Sequence, residues 1–348
     1  MNEALPLLEA RAISKTFVSG TFRKRRNLAL HALSLTIDES PPTITAIAGE
    51  SGSGKTTLAR VLLGLIAPTS GQVIYRGRDV ATMSGAEFRV FRREVQVIFQ
   101  DPFESYNPFY KIDHVLTTPI RKYGLASSKS QTKELVINAL ETVGLRPDET
   151  LGRYPHQLSG GQRQRIMVAR AVMLQPKIIV ADEPVSMVDA SLRATILETL
   201  RTLNAEFGIS ILYITHDLTT AYQIAENIII LYKGVVAEAG DVEKVINSPT
   251  HPYTRLLVNS IPQPDPDLQW GSSGAGATLT GGQSDMGCVF YDRCPIREDR
   301  CDVSPPPMYR TDEYRVTRCY AFEDSGIFDK ISFSDVFIPA SEVVPIQD

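Results

Sequence analysis

The chain has 348 residues, of which 43% are apolar and 22% charged, values that exclude a disordered or collagen-like chain and favour one large domain with a small appendage. Its net charge of −4 provides no overall attraction for nucleic acid. Apolar runs such as residues 228–232 are far shorter than the ~18 residues of a membrane helix, so we expect no spanning segment.

The N-terminal region carries no sign of a targeting segment. Residues 1–11 contain Glu3 and Glu9 and lack a basic region followed by an apolar one, so we predict no secretory signal. The basic run Arg23-Lys24-Arg25-Arg26 is short, and such runs are more often solvated loops than phosphate or lipid contacts. We therefore expect the chain to stay inside the cell.

From about residue 7 to residue 261, short apolar runs alternate with helical stretches. This pattern is typical of a mostly parallel sheet with crossover helices, so the predicted fold class is α/β. The predicted elements are strands at 43–48, 177–181 and 209–214 and helices at 56–63 and 192–207.

A phosphate-binding motif lies between the first predicted strand and the helix that follows it. Residues 49–56, GESGSGKT, match G-x-x-x-x-G-K-[ST] at every fixed position. The glycines let backbone N–H groups turn toward the phosphates, Lys55 reaches the β- and γ-phosphates, and the Thr56 hydroxyl binds Mg²⁺. The predicted nucleotide contacts of this loop are Gly49, Ser51, Gly52, Gly54, Lys55, Thr56 and Thr57.

The stretch from about residue 101 to residue 171 is mainly helical in pattern. Leu135, Ala139, Leu140 and Val143 recur at helical spacing before Gly144, a residue type that commonly ends a helix. We predict a helical subdomain inserted into the α/β core.

Two adjacent acids end the strand predicted at 177–181. Because a buried strand rarely ends in two carboxylates unless a cation is present, Asp182 is predicted to hold Mg²⁺. Glu183 is predicted to polarise the attacking water as general base.

Residues 158–162, LSGGQ, complete a set of motifs that resembles the ATPase subunits of ABC transporters. The resemblance implies an ABC ATPase core, namely a P-loop parallel sheet with an antiparallel β subdomain. It also implies that the ATP site is shared by two subunits packed head to tail. The residues that would contact the partner's ATP are Ser159, Gly160, Gly161 and Gln162, at a helix N-terminus that offers a second anion site.

Four further positions resemble family residues. Gln100 resembles the glutamine that contacts Mg²⁺ or the lytic water and senses the γ-phosphate, and His216 resembles the switch histidine. Asp189 resembles an aspartate at the dimer seam, although Met-Val precedes it where the family more often has Ala-Leu. Phe17 resembles the aromatic residue that stacks on adenine.

Two segments resemble the oligopeptide, dipeptide and nickel importers within the family. They are residues 100–108, QDPFESYNP, with Tyr106 where leucine is usual, and residues 251–257, HPYTRLL. The resemblance, which covers about residues 7–320, implies two membrane-spanning permease subunits, an extracytoplasmic solute-binding protein and a peripheral place on the cytoplasmic face of the inner membrane. Residues 20–26 look like the second of two paired ATPases, which favours a heterodimer over a homodimer.

Residues 100–110 are expected to receive a short helix of a permease. The aromatic residues that we predict to be exposed there are Phe103, Tyr106, Phe109 and Tyr110. Burial of the same residues in a helical core is the alternative.

Two other functions compete with transport. A soluble ABC ATPase that acts on nucleic acid or ribosomes would carry long coiled-coil insertions or two cassettes, and the sequence contains neither. A non-catalytic ATP-binding subunit would lack a catalytic residue, whereas Lys55, Glu183 and His216 are all present. The cargo stays open among dipeptides, longer peptides, metal chelates and oligosaccharides.

The C-terminal part begins with the texture of a linker. Proline, glycine and serine dominate residues 262–276, so we divide the chain into a nucleotide-binding domain at 1–260, an extension at 261–324 and a tail at 325–348.

The extension contains all four cysteines, Cys288, Cys294, Cys301 and Cys319, in the pattern C-x5-C-x6-C-x17-C. These intervals are wider than those of paired zinc knuckles. A [4Fe–4S] cluster, free thiols and zinc are the alternatives, and the cluster is favoured because the segment resembles the C-terminal region of peptide-importer ATPases, some of which carry one. A metal would also stabilise an appendage with few core aliphatic residues.

Overall fold

The computed structural model describes residues 5–20, 25–101, 106–186, 188–261, 287–330 and 333–337. In these ranges the strands are β1 Leu8–Ser19, β2 Arg25–Ile37, β3 Ile44–Ala48, β4 Ser70–Tyr75, β5 Arg78–Asp79, β6 Val95–Ile98, β7 Ile178–Asp182, β8 Ser210–Thr215, β9 Asn227–Tyr232, β10 Val235–Asp241, β11 Tyr309–Asp312 and β12 Arg315–Thr317. The α-helices there are α1 Lys55–Leu62, α2 Gly85–Glu94, α3 Ile112–Tyr123, α4 Lys129–Thr142, α5 Pro147–Thr150, α6 Gly160–Val172, α7 Ala190–Phe207, α8 Leu218–Ile224, α9 Val242–Asn247, α10 Pro252–Asn259 and α11 Asp299–Val303.

The large sheet has the order β11-β12-β10-β9-β3-β8-β7-β6, and it confirms the predicted α/β class. Strands β9, β3, β8, β7 and β6 run parallel, while β10 and the β11–β12 hairpin extend one edge antiparallel. Every residue of β3, β7, β8 and β9 is buried, because elements cover both faces of the sheet. The carboxyl ends of β6, β7 and β8 therefore meet at one edge, where polar residues follow each strand.

The predicted antiparallel subdomain is a second sheet of order β2-β1-β4-β5. Its apolar face, which includes Leu8, Leu33 and Leu35, packs in the same core cluster as Ile178 and Val180 of β7. Arg25 and Arg26 of the basic run are exposed at the start of β2, and Arg23 and Lys24 lie outside the described residues.

Helices α3, α4, α5 and α6 occupy the stretch where a helical insertion was predicted. Leu116, Leu140 and Ile166 bury their side chains in the larger core cluster. After α4, Gly144 has φ 67°, as expected for a glycine that ends a helix. No helix in the described ranges is both long and apolar enough to cross a membrane.

The C-terminal extension adds strands to the core sheet, a feature that the sequence did not predict. Strand β12 pairs antiparallel with β10, and β11 pairs with β12. Phe328 and Val336 of the tail are buried in the same core cluster as β7. The extension is therefore stabilised by the main core, where sequence reasoning expected an appendage that depends on a metal. The predicted linker at 262–276 and the tail beyond residue 337 lie outside the described residues.

Candidate nucleotide-binding site

The phosphate loop connects β3 to α1, as the motif predicts. Gly54 has φ 108°, and a Cβ added there would lie 2.4 Å from the Ala29 carbonyl oxygen. Gly49 is equally restricted, since its Cβ would lie 2.1 Å from the Leu231 carbonyl oxygen. The loop can follow this path only with glycine at these two positions.

Polar groups of the loop are buried in a way that suits an anionic ligand. The Lys55 ammonium donates hydrogen bonds to the carbonyl oxygens of Gly49 at 2.7 Å and Glu50 at 3.0 Å, and burial lowers its pKa. The buried Ser53 hydroxyl has no hydrogen-bond partner among the described residues. A buried cation and an unsatisfied hydroxyl beside a helix N-terminus fit a bound phosphate.

Thr56 and Asp182 meet across the loop, as predicted for an Mg²⁺ site. The Thr56 hydroxyl lies 3.5 Å from a carboxylate oxygen of Asp182. Burial raises the pKa of Asp182, so a cation beside it would favour the ionised form that binds metal. A hydroxyl and a carboxylate are hard oxygen ligands of the kind that Mg²⁺ prefers.

Glu183 is held between residues that follow two neighbouring strands. Gln100, after β6, donates from Nε2 to Glu183 Oε2 at 3.0 Å. His216, after β8, has its Nδ1 3.0 Å from Glu183 Oε1. Both contacts leave the carboxylate in a defined orientation at the sheet edge, and 55% of the His216 side chain remains exposed to an incoming ligand. Of the residues predicted to contact Mg²⁺, Thr56 therefore lies beside Asp182, whereas Gln100 lies beside Glu183.

The LSGGQ segment forms a helix N-terminus. Ser159 is the N-cap of α6 and shares a capping box with Gln162, in which the Ser159 hydroxyl accepts the Gln162 N–H at 3.2 Å. Gly160 and Gly161 open the helix, and a Cβ on Gly161 would lie 2.4 Å from Leu192 Cδ1. Leu192 belongs to α7, whose N-cap is Asp189, so the Asp189 region packs beside the LSGGQ helix.

Phe17 lies on β1 with 41% of its surface exposed, and the Lys15 ammonium is 5.4 Å from its ring centroid. An exposed aromatic face is available for a base to stack on.

Residues 100–110, the predicted permease contact, are described only in part, and Phe103 lies outside the described residues. Tyr106 was predicted to be exposed, and this was wrong: it is buried, and its hydroxyl donates to the Arg163 carbonyl oxygen at 2.7 Å. A tyrosine between inserted helices buries its ring and bonds its hydroxyl, as interior tyrosines usually do. Phe109 and Tyr110 are exposed, as predicted.

All four cysteines line one small cavity, together with His251 and Tyr320. Burial raises the pKa of the Cys288 and Cys319 thiols and raises that of Cys294 to about 11. Across the described residues, no three or more His, Cys, Asp or Glu side chains are grouped as the ligands of a metal ion would be. The thiols therefore converge on a common space without the arrangement of a single-ion site.

Sequence reasoning missed two residues that contact the phosphate loop from the C-terminal part of the chain, Tyr253 and Arg293. Tyr253 lies in the HPYTRLL segment and Arg293 directly precedes Cys294, but neither position signals a contact with Glu50.

Comparisons with known proteins relate this chain to one family. The family model described as "ABC transporter" matches residues 30–186, and the model described as "Oligopeptide/dipeptide transporter, C-terminal region" matches residues 237–301. A putative peptide import ATP-binding protein of Brucella ovis is 41% identical over 305 residues, covering 87% of this chain and 94% of that protein. The oligopeptide transport ATP-binding protein OppF of Escherichia coli is 40% identical over 268 residues, covering 75% of this chain and 79% of that protein. The dimeric structure of the bacterial ABC transporter cassette MJ0796 is similar with a TM-score of 0.60 at 28% identity, covering 68% of this chain and 98% of that chain.

Proposed function

Because this chain belongs to the ABC transporter family of ATPases, we propose that it hydrolyses ATP, with Glu183 as general base, to power the import of peptides. Peptide cargo is supported by the match of residues 237–301 to the oligopeptide/dipeptide transporter region. It is also supported by the peptide transport named for the Brucella and Escherichia relatives.

The observation that carries the catalytic assignment is the orientation of the Glu183 carboxylate by Gln100 and His216. In the proposed reaction, Glu183 takes a proton from the water that attacks the γ-phosphate. Lys55 brings positive charge to the transferred phosphoryl group. Mg²⁺, when bound, neutralises charge on the phosphate oxygens, and Thr56, Asp182 and Gln100 would hold it.

The remaining nucleotide contacts follow from the same arrangement. Phe17 would stack on adenine, and the N–H groups of the phosphate loop would surround the β-phosphate. Ser159 and the following residues 160–162 would contact ATP bound to a second subunit, with Asp189 at the seam. The dimer of the related cassette MJ0796 supports a shared site. We favour a paralogous partner over a second copy because of the insertion at residues 20–26.

The chain works with the membrane permease components of its transporter. We propose two spanning subunits, an extracytoplasmic solute-binding protein that delivers cargo to them, and a peripheral position on the cytoplasmic face of the inner membrane. Nucleic acid is not a proposed partner. Phe109 and Tyr110 form the exposed part of the proposed permease contact, since exposed aromatic side chains are frequent interface anchors.

We further propose that Cys288, Cys294, Cys301 and Cys319 hold a [4Fe–4S] cluster. Convergence of four thiols on one cavity supports this, because such a cluster takes one thiolate for each of its four irons. Coordination to its iron would lower the thiol pKa values that burial raises, because a coordinated thiol is deprotonated. Anaerobic purification should give broad absorbance near ~400 nm and stoichiometric iron. Protein that lacks both would overturn the cluster.

The function is tested by separating ATP binding from turnover in the assembled transporter. Glu183→Gln should slow hydrolysis by roughly 10²- to 10⁴-fold while ATP still binds, because only the general base is lost. Lys55→Ala should weaken ATP binding itself, since it removes the charge that faces the phosphates. Hydrolysis by Glu183→Gln at the wild-type rate would show that Glu183 is not the base.

A further inference from the structure

Contacts from the C-terminal part of the chain hold Glu50 of the phosphate loop at two points. The Arg293 guanidinium donates to both carboxylate oxygens of Glu50, from Nη1 to Oε2 at 2.9 Å and from Nη2 to Oε1 at 2.8 Å. The Glu50 backbone N–H donates to the Tyr253 hydroxyl oxygen at 2.8 Å. These partners lie 243 and 203 positions away in the sequence. The loop is thus tied to the extension by a bidentate ion pair and to helix α10 by a backbone hydrogen bond.

Arg293 is supported by an aromatic cluster that we define as Tyr232, Tyr253 and Phe290. The rings pack with centroids 4.4 to 5.5 Å apart, and Tyr253 and Phe290 are almost completely buried. The guanidinium lies 5.6 Å from the ring centroids of both Tyr232 and Phe290. Tyr232 ends β9, which is paired with β3, the strand that leads into the phosphate loop. The packing therefore fixes Arg293 relative to the loop.

The turn that carries Arg293 is bounded by two of the four thiols. The Tyr291 N–H donates to the Cys288 carbonyl oxygen at 3.0 Å, and the Cys294 N–H donates to the Tyr291 carbonyl oxygen at 3.1 Å. This turn, Tyr291–Arg293, is a single 3-10 turn with few bonds of its own. Backbone hydrogen bonds thus connect Cys288 and Cys294 to the turn that holds Arg293.

Glu50 in turn shapes the part of the loop that meets the nucleotide. Its carbonyl oxygen accepts hydrogen bonds from the Lys55 ammonium at 3.0 Å and from the Ser53 N–H at 3.1 Å. Its carboxylate would also repel a bound triphosphate if its charge were not paired. Arg293 both neutralises that charge and fixes the residue whose carbonyl positions Lys55.

We propose that Arg293 is a positioning residue of the ATP site. It couples the cysteine-bearing turn to the phosphate loop through Glu50, so that the positions of Cys288 and Cys294 set the affinity for ATP. The inference rests on the proposed function, because it requires ATP to occupy the phosphate loop.

The first test compares ATP affinity and turnover in the full chain within the assembled transporter. Arg293→Gln should raise the Kd and KM for ATP roughly two- to fivefold, the range of a partly exposed pair, and leave kcat nearly unchanged. Arg293→Lys should recover part of the loss, because it keeps the charge but not the bidentate geometry. Arg310→Gln is the matched control, since Arg310 is an exposed arginine of the same extension whose side chain donates to the Glu313 and Asp335 carbonyl oxygens. An Arg293→Gln protein whose Kd and KM equal those of Arg310→Gln would overturn the proposal.

Two further comparisons test whether the effect on ATP binding runs from the cysteines through Arg293 and Glu50. In a Glu50→Gln background, Arg293→Gln should have no further effect, because the charge that it neutralises is gone; a full additional loss would contradict a route through Glu50. Cys294→Ser should raise the Kd for ATP in the wild-type background and not in the Arg293→Gln background. Equal losses in both backgrounds, or no loss in either, would remove the thiols from the pathway. Wild-type protein that binds no ATP would instead overturn the proposed function itself.

Discussion

The carboxyl edge of the parallel sheet and the cysteine-bearing extension differ in how their residues come together. At the sheet edge, contiguous residues 49–56 and short motifs at strand ends supply the groups. In the extension, four cysteines spread over residues 288–319 converge on one cavity, and Arg293 contacts a residue 243 positions away. The phosphate loop depends on local chain geometry, whereas the extension depends on tertiary packing with the core.

If the extension and the tail that follows it are packed as part of the core, removing a buried side chain of the tail should destabilise the whole chain. Phe328→Ala should lower the free energy of unfolding by about 3 kcal/mol, as buried phenylalanine truncations do. The matched control is Ile327→Ala, because its neighbouring side chain is 65% exposed and should change stability by less than ~0.5 kcal/mol. Urea unfolding of the full chain measures both. Equal losses of stability in Phe328→Ala and Ile327→Ala, or a separate unfolding transition for the extension, would show that this part of the chain is not packed as part of the core.

If the phosphate loop depends on local backbone geometry, its glycines should differ according to their surroundings. Gly54→Ala combines a φ of 108° with a 2.4 Å approach to the Ala29 carbonyl oxygen, so we expect a loss of about 2 kcal/mol in stability together with weaker ATP binding. Gly52→Ala is the control, because its φ is 80° but no atom lies within 4 Å of the added Cβ. It should cost about 1 kcal/mol through backbone strain alone. Thermal unfolding and ATP titration of both variants would measure the difference, and equal losses would point to strain without a clash.

Residues 100–110, the predicted permease contact, allow a test with a smaller expected effect. Tyr106→Phe removes the buried hydrogen bond to the Arg163 carbonyl oxygen and should cost about 1 kcal/mol in the free energy of unfolding. Tyr110→Phe, at an exposed position, should leave stability unchanged within ~0.5 kcal/mol. The order of the two variants in urea unfolding decides whether Tyr106 belongs to the core.

Local patterns explain why much of the ATP site could be predicted from the sequence. The strand, glycine loop and helix at residues 43–63 form a continuous signal, and Ser159 begins α6 as its capping box indicates. The extra strands could not be predicted, because β11 and β12 have only four and three residues, too few to show the sustained alternation of apolar and polar residues that marks a strand. Nor could the contacts of Glu50, because nothing local in an Arg or a Tyr reveals a partner more than 200 positions away. The assigned roles of Gln100, Glu183 and His216 stay predictions, although the structure brings their side chains together.

ATP-driven uptake of a labelled peptide into vesicles tests the central claim most directly. The vesicles would contain this chain with the permeases of its transporter and with the proposed paired ATPase and solute-binding protein. Wild-type protein should accumulate peptide only with ATP and Mg²⁺, and Glu183→Gln should reduce both uptake and hydrolysis by roughly 10²-fold or more while ATP still binds. Uptake by Glu183→Gln at the wild-type rate, or wild-type hydrolysis with no peptide uptake, would contradict the account.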